Sequence, residues 1–298
     1  MSWLDGLKAK VLLSEPLAKH TTIKAGPKAG PKAGLWIEPL DKEDLRVLIK
    51  RCRSLKKKYF VLGLGSKVIF KSKKVPLVIH LGSDNFKRCA REGNDIIASA
   101  GVSLNKLLAF AYENGLGGLE FLSGIPASVG GALALNAGVG WPVRLEIGTF
   151  VYEVEVMDRL GRVRILSQKE LKFKYRGSNL KSRVILGARF RLFKKRRKNI
   201  RIRMDKFRDY RKATQDLGHP SAGCVFKNSN GQPSGRLIDL CGLKRRRIGD
   251  AQISIKHGNF IINLAKADSK DIVSLIKLAQ RKVKAKFGVT LEPEIQII

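Results

Sequence analysis

The sequence predicts an α+β protein in two parts, and three observations carry that prediction. Segments of strict apolar and polar alternation, the mark of half-buried strands, are interleaved with segments whose apolar residues recur at helical spacing. At 298 residues the chain is longer than the roughly 250 at which single cores tend to split. The alternating segment ARFRLF at 188–193 then gives way directly to KKRRK at 194–198. This change of composition sets a boundary between a first domain over 1–193, with subdomains of about 1–82 and 83–193, and a smaller α+β domain over 194–298.

The elements follow in order. HTTIKAGPKAGPKAG at 20–34 is a turn-rich loop, because Lys-Ala-Gly-Pro occurs twice and Lys-Ala-Gly follows, the pattern of a tandem duplication. At 40–57, LDKEDLRVLIKRCRSLKK sets Leu45, Leu48, Ile49 and Cys52 on one helical face after an acidic start. YFVLGLGSKVIF at 59–70 reads as strand, tight glycine turn, strand, and PLVIHL and DIIASAG are further short strands. LNKLLAFAYENG at 104–115 is a helix ending at a glycine cap. At 151–166, Tyr152, Val154 and Val156 alternate with Glu153 and Glu155 before the chain turns and returns, which is a hairpin with one wet face. In the second part, 208–215 is a helix, the segment around Cys224 a strand, and SGRLIDLCGL a short helix. The helix at 268–288 has Ile272, Leu275, Ile276, Ala279, Val283 and Phe287 on one face, Asp268 or Ser269 at its start and Gly288 at its end. TLEPEIQII is a last strand.

Composition narrows the function. The first twenty residues lack a continuous apolar h-region and a small-residue cleavage site, so a cytoplasmic location is expected. Residues 121–143 carry no charge, but five glycines, two prolines and Asn136 make them a buried glycine-rich loop region rather than a membrane span. Cys52, Cys89, Cys224 and Cys241 lack metal-ligand or dithiol spacing and the four histidines are equally scattered, so no bound metal is expected. The net charge of +34 is concentrated in 194–212, with 11 basic and two acidic residues, and in KRRR at 244–247. Three explanations fit it: nucleic-acid binding, an enzyme with anionic ligands, or a solvated cationic surface.

Two glycine-punctuated segments suggest close backbone approach to a ligand. Gly63-Leu64-Gly65-Ser66 leaves main-chain N–H groups accessible, but it has neither the third glycine of a dinucleotide fingerprint nor a phosphate-loop lysine. EFLSGIPASVGGALALNAG at 120–138 is more specific, packing small residues against something flat or large, and a buried cofactor is the sharper explanation. Cys224, in HPSAGCVFKN, is on its own residues either a core thiol or a reaction residue.

IPASVGGALALNAG, KYRGS at 174–178, SAGCVFKN, AQISIKHGNFIIN at 251–263 and the terminal LEPEI together resemble the UDP-N-acetylenolpyruvoylglucosamine reductase family, in order and over nearly the whole chain. The resemblance implies a two-part FAD-binding domain of the vanillyl-alcohol-oxidase (PCMH) type, followed by a substrate-binding domain. It implies reduction of UDP-N-acetylglucosamine enolpyruvate by NADPH to UDP-N-acetylmuramate for peptidoglycan. By the same resemblance the flavin is surrounded by Gly63, Leu64, Gly65, Ser66 and Lys67, and by Gly124, Ile125, Pro126, Ser128, Gly130, Gly131, Asn136 and Ala137. Arg176, Cys224 and Glu294 are the implied catalytic residues, and Tyr175, Lys227, Asn228, Gln252 and His257 the implied substrate contacts.

These residue types suit that chemistry. Hydride from FAD N5 to the terminal enolpyruvyl carbon makes an enolate-like species that Arg176 and Glu294 would stabilise and orient. A thiol with a pKa of about 8.5 is a competent proton donor, which is the role given to Cys224 where many family members use serine. Glu292 is the rival of Glu294, and Cys52, Cys89 and Cys241 remain structural thiols. The chain departs from the family at Lys67, where asparagine is usual, in the Lys-Ala-Gly-Pro repeat, and in ending at Ile298 without the glycine that often follows. The competing expectations are a nucleic-acid binder, for which 7% aromatic residues and no RNA-binding signature argue poorly, and a related FAD oxidoreductase with another substrate.

Overall fold

A computed structural model describes every residue except Met1, Pro27–Ala29, Trp141, Pro142, Asn230 and Gly231. The central copy of the Lys-Ala-Gly-Pro repeat therefore lies partly outside the described residues. Two compact units form, and neither is one continuous stretch of chain. The first comprises 1–13, 35–63 and 76–209; the second comprises 14–34, 64–75 and 210–298. Each has its own apolar core.

In the first unit, helix α1 (Lys42–Ser54) forms where the heptad-like spacing predicts it. Asp41 caps it by accepting the Asp44 N–H at 2.9 Å, and Leu45, Leu48, Ile49 and Cys52 are buried. Helix α2 (Leu104–Glu113) is capped by Ser103 and released at Gly115, which adopts the left-handed conformation. Both pack into a core shared with a five-stranded sheet, ordered Val163–Ser167, Val151–Met157, Val184–Arg191, Asp95–Ser99, Cys89–Glu92.

The predicted hairpin pairs Val154 with Leu166, both buried, while Glu155 on the opposite face holds Lys42 at 2.6 Å. Tyr152 departs from the expected alternation. A register shift between Val151 and Glu153 buries Val151 instead and turns Tyr152 outward under the Arg191 guanidinium, 3.9 Å from its ring centre.

Short helix α3 (Val129–Ala134) lies inside the glycine-rich segment. The uncharged run 121–143 is thus broken into short pieces, and no described helix is long and apolar enough to cross a membrane. Helix α4 (Arg197–Thr214) begins well before the predicted 208–215 and absorbs much of the basic run. Ile200, Met204 and Phe207 recur at helical spacing and are its inward stripe.

The second unit centres on a four-stranded antiparallel sheet, Ser221–Cys224, Phe260–Asn263, Ala251–Ile253 and Arg247–Ile248, packed with α5 (Ser234–Leu240) and α6 (Ser269–Phe287). Helix α6 buries Ile272, Leu275, Ile276, Ala279 and Val283, is capped by Asp268 on the Lys270 N–H at 2.8 Å, and ends at left-handed Gly288. Asn263 fastens the N-terminal segment to this sheet, donating to the carbonyl of Ile23 at 3.0 Å.

The strands on either side of the Gly63 turn do not pair with each other. Phe60–Leu62 pairs in parallel with Val78, Ile79 and His80 in the first unit, whereas Val68–Ile69 runs parallel to Gln296–Ile297 in the second.

Candidate active site

In the second unit, backbone pairing brings Cys224 and Glu294 together. The segment after Cys224 lies antiparallel to the chain end: Glu294 N–H donates to Val225 O at 2.8 Å, and Lys227 N–H donates to Glu292 O at 2.9 Å. Asn259 clamps the other side, its side chain accepting the Phe226 N–H at 2.9 Å and donating to Phe226 O at 2.8 Å. A bulge between Ser221 and Cys224, with Gly223 at φ +65°, changes the direction of the strand just before the thiol.

The two terminal glutamates differ sharply. The Glu294 side chain is 8% exposed and its carboxylate pairs with Lys67 Nζ at 2.8 Å, whereas Glu292 is 69% exposed and pairs with Lys227 at 2.5 Å. Lys67 Nζ also donates to the Cys224 carbonyl at 2.6 Å. Burial favours Glu294 as the carboxylate with a site role, because an exposed pair contributes little.

The other expected substrate contacts of this unit are less concentrated. Asn228 accepts the Ser234 N–H at 3.1 Å, and Gln252 donates to Arg245 O at 3.2 Å. His257 accepts the Asn259 N–H on Nδ1 at 3.1 Å, and burial, aided by Lys244, pushes its pKa down, which favours the neutral form. Arg211, which no sequence motif marks, has a buried Nε without a hydrogen-bond partner; burial lowers its pKa, opposed by nearby Cys224.

In the first unit, Tyr175 and Arg176 are the two-residue turn between the paired strands Phe173–Lys174 and Gly177–Ser178. Arg176 has φ +53°, an uncommon conformation for a side-chain-bearing residue and one concentrated at functional sites. Its guanidinium donates to Gly138 O at 2.9 Å and lies 5.1 Å from the Tyr175 ring centre, with Arg144 at 4.7 Å. Asn136 and Ser178 staple this hairpin to the glycine-rich segment, donating to Lys174 O at 3.1 Å and Ala134 O at 3.0 Å.

The remaining expected flavin residues divide in the same way. Ser128 caps α3, accepting the Gly131 N–H at 3.3 Å, and a Cβ on Gly63 would lie 2.6 Å from its hydroxyl. Gly124 and Pro126 are exposed, Ile125, Gly130 and Ala137 half-buried, and Asn136 buried. In the second unit Leu64 is exposed and Ser66 half-buried, while Gly65, at φ +62°, has no room for a Cβ: it would sit 2.0 Å from the His20 carbonyl oxygen. A concavity on the five-stranded sheet, lined by Lys42, Glu153, Glu155 and Arg189, contains none of the expected residues, and its charges already pair.

Residues 215–298 match the family model described as the C-terminal domain of UDP-N-acetylenolpyruvoylglucosamine reductase, and residues 33–167 match the model described as an FAD binding domain. A UDP-N-acetylenolpyruvoylglucosamine reductase from Syntrophobacter fumaroxidans is 41% identical over 95% of this chain and 82% of its own length. The one from Caldanaerobacter subterraneus is 38% identical over 98% of this chain and 94% of its own. This chain belongs to the UDP-N-acetylenolpyruvoylglucosamine reductase family. The crystal structure of the Thermus caldophilus reductase superimposes with a TM-score of 0.80 at 35% identity, covering 98% of this chain and 99% of that one.

Membership makes the protein an FAD oxidoreductase of the reductase family, with the expected α+β architecture. Its own residues fit a flavin. The glycine-punctuated segment is uncharged, with Gly124 in the left-handed region and Gly130 and Gly131 only half-buried, and Ser123, just before Gly124, has a buried hydroxyl with no hydrogen-bond partner. That orphaned hydroxyl is a signal only the folded chain gives. Among the described residues no cluster of ligating side chains could hold a metal, and none of the four cysteines forms a disulfide. Burial pushes the Cys52 thiol up to about 11 and raises Cys89 as well, in keeping with structural roles.

Proposed function

We propose that the protein reduces the enolpyruvyl ether of UDP-N-acetylglucosamine enolpyruvate to UDP-N-acetylmuramate, with NADPH as reductant, as a cytoplasmic step of peptidoglycan precursor synthesis. The observation that carries this beyond family membership is the ladder that sets the Cys224 main chain beside a buried Glu294 carboxylate. Residues of Gly63–Ser66 and Gly124–Ala137, with Ser123, would hold a flavin, which would supply the hydride.

The chain's own groups manage charge and the proton. Arg176, held at a hairpin tip, offers a planar set of donors to the charge that develops on the substrate carboxylate and its neighbouring carbon. Glu294 orients that end of the substrate. Cys224 delivers the proton to the carbon adjacent to the carboxylate; a thiol, with a reference pKa of about 8.5, is a far better acid than a serine hydroxyl.

Tyr175, Lys227, Asn228, Gln252 and His257 bind the nucleotide-sugar. For Lys227 this requires leaving Glu292, an exchange that costs little because the Glu292 side of the pair faces solvent. His257, whose neutral form burial favours and whose Nδ1 already accepts a backbone N–H, contributes a hydrogen bond rather than a charge.

The test is NADPH oxidation by the purified flavoprotein with and without the enolpyruvyl substrate, with the product identified by mass. Substrate-dependent consumption and a product carrying two added hydrogens support the assignment. NADPH consumption that ignores the substrate refutes it.

A further inference from the structure

Two lysine–glutamate pairs lie on the ladder beside Cys224, and only one is sheltered. Lys227–Glu292 is at the solvent-exposed end, whereas Lys67 and Glu294 are 22% and 8% exposed at their side chains. The Lys67 ammonium has two partners at once, the Glu294 carboxylate at 2.8 Å and the Cys224 carbonyl at 2.6 Å. Its backbone is fixed to the same strand as Glu294, since Gln296 N–H donates to Lys67 O at 2.8 Å and Val68–Ile69 pairs with Gln296–Ile297. On the other side, a Cβ on Gly223 would lie 3.5 Å from the ammonium, so Lys67 packs against the bulge that redirects the Cys224 strand.

The geometry points to Lys67 as a positioning residue that locks the Glu294 carboxylate and the Cys224 main chain into one arrangement, and so acts in the step that uses both. One charged donor on two acceptors from different strands removes freedom that neither backbone ladder controls: the side-chain torsions of Glu294 and the outward swing of the bulge. Charge-assisted hydrogen bonds in a sheltered place are stiff enough for this, and small misplacements of reacting groups are expensive. A lysine at this point of the glycine turn would otherwise be assigned to a phosphate; here its ammonium is directed to the two candidate catalytic residues. The inference rests on the functional assignment above.

The experiment separates the two half-reactions in the FAD-loaded protein for wild type, Lys67→Met, Lys67→Arg, Glu294→Gln and the double variant Lys67→Met/Glu294→Gln. Lys67→Met is expected to retain flavin and to be reduced by NADPH within about twofold of wild type, while reoxidation by the enolpyruvyl substrate slows by about 10- to 100-fold. Lys67→Arg, which keeps charge and donors, recovers most of that loss. In the Glu294→Gln background, adding Lys67→Met costs clearly less than it does alone, because the part of its effect that acts through the Glu294 carboxylate is gone and only its hold on the Cys224 carbonyl is left to lose. Loss of flavin as the first effect of Lys67→Met, or an undiminished effect in the Glu294→Gln background, overturns the inference and leaves the functional assignment standing. If Lys67→Met does not fold, Lys67→Gln, which keeps length and polarity but removes the charge, decides by the same coupling with Glu294→Gln. Wild-type protein that is never reoxidised by the substrate overturns the assignment and this inference with it.

Discussion

In the glycine-punctuated segments the chain leaves side chains out, and around Cys224 it places them. At Gly65 any Cβ would collide with a carbonyl oxygen, and at Gly63 it would collide with the hydroxyl that caps α3. The Cys224–Lys227 and Glu292–Glu294 strands instead use an ordinary antiparallel ladder to set a thiol-bearing residue, a sheltered carboxylate and two lysines around one another. At Gly63 and Gly65 the protein's own close packing leaves no room for a side chain. Moving a proton and steadying a carboxylate demand particular functional groups at particular heights. The two regions should therefore fail differently when altered, the first by losing flavin and stability, the second by losing one chemical step in an otherwise sound protein.

The largest break is expected at Cys224. Cys224→Ala should lower turnover by about 10³-fold, the scale of a lost general acid, while flavin content and unfolding midpoint stay near wild type. Cys224→Ser should recover part of the rate, since a hydroxyl can occupy the same position as a weaker acid. Turnover of Cys224→Ala within tenfold of wild type would remove the thiol from the proton transfer. Next comes the contrast between the glutamates: Glu294→Gln should cost about 100-fold, as loss of an oriented group in a sheltered site does, and Glu292→Gln no more than about twofold. Equal effects of the two substitutions would contradict the distinction drawn from their exposure.

For the glycine-punctuated region, Gly65→Ala combines a left-handed backbone with a carbonyl 2.0 Å from the new Cβ. A loss of ~1–3 kcal/mol in stability is expected, together with weaker flavin retention. An unchanged urea midpoint and full flavin content would show that the turn adapts.

The smallest effect is a pH slope at His257. Burial, then Lys244, lowers its folded-state pKa, so the unfolded chain takes up the proton more readily. The associated stability is present above the ordinary imidazole pKa of about 6.5 and is lost as pH falls below it. Urea unfolding between about pH 7.5 and about pH 5.5 should show this loss in wild type and less of it in His257→Gln. Matching slopes would mean that other groups carry the dependence.

What the sequence made legible follows from locality. Helices α1, α2 and α6 and the 151–166 hairpin are written in periodic apolar residues and flanking caps, and they fold where those signals lie. The first half of α4 was hidden because its inward stripe is thin: Ile200 and Met204 are scattered through a dense run of cations. Alternation alone puts Tyr152 on the face of Val154 and Val156, and a bulge, which leaves no mark on alternation, shifts the register and turns it outward. The glycine-rich segments, Cys224 and Glu294 stood out through family motifs, yet what surrounds them did not. The parallel pairing of Val68–Ile69 with Gln296–Ile297 joins the chain end to residues more than two hundred positions earlier, and no local pattern encodes it. That pairing is what carries Lys67 to Glu294, and the orphaned Ser123 hydroxyl and the sheltered Arg211 are likewise products of packing.

The most direct test of the central claim is a two-stage anaerobic measurement on wild-type protein carrying FAD. NADPH is added until the flavin absorbance is bleached, excess nucleotide is removed, and UDP-N-acetylglucosamine enolpyruvate is mixed in. Rapid return of the oxidised flavin spectrum with formation of UDP-N-acetylmuramate is the expected result. Flavin that remains reduced in the presence of the enolpyruvyl substrate would contradict the assignment.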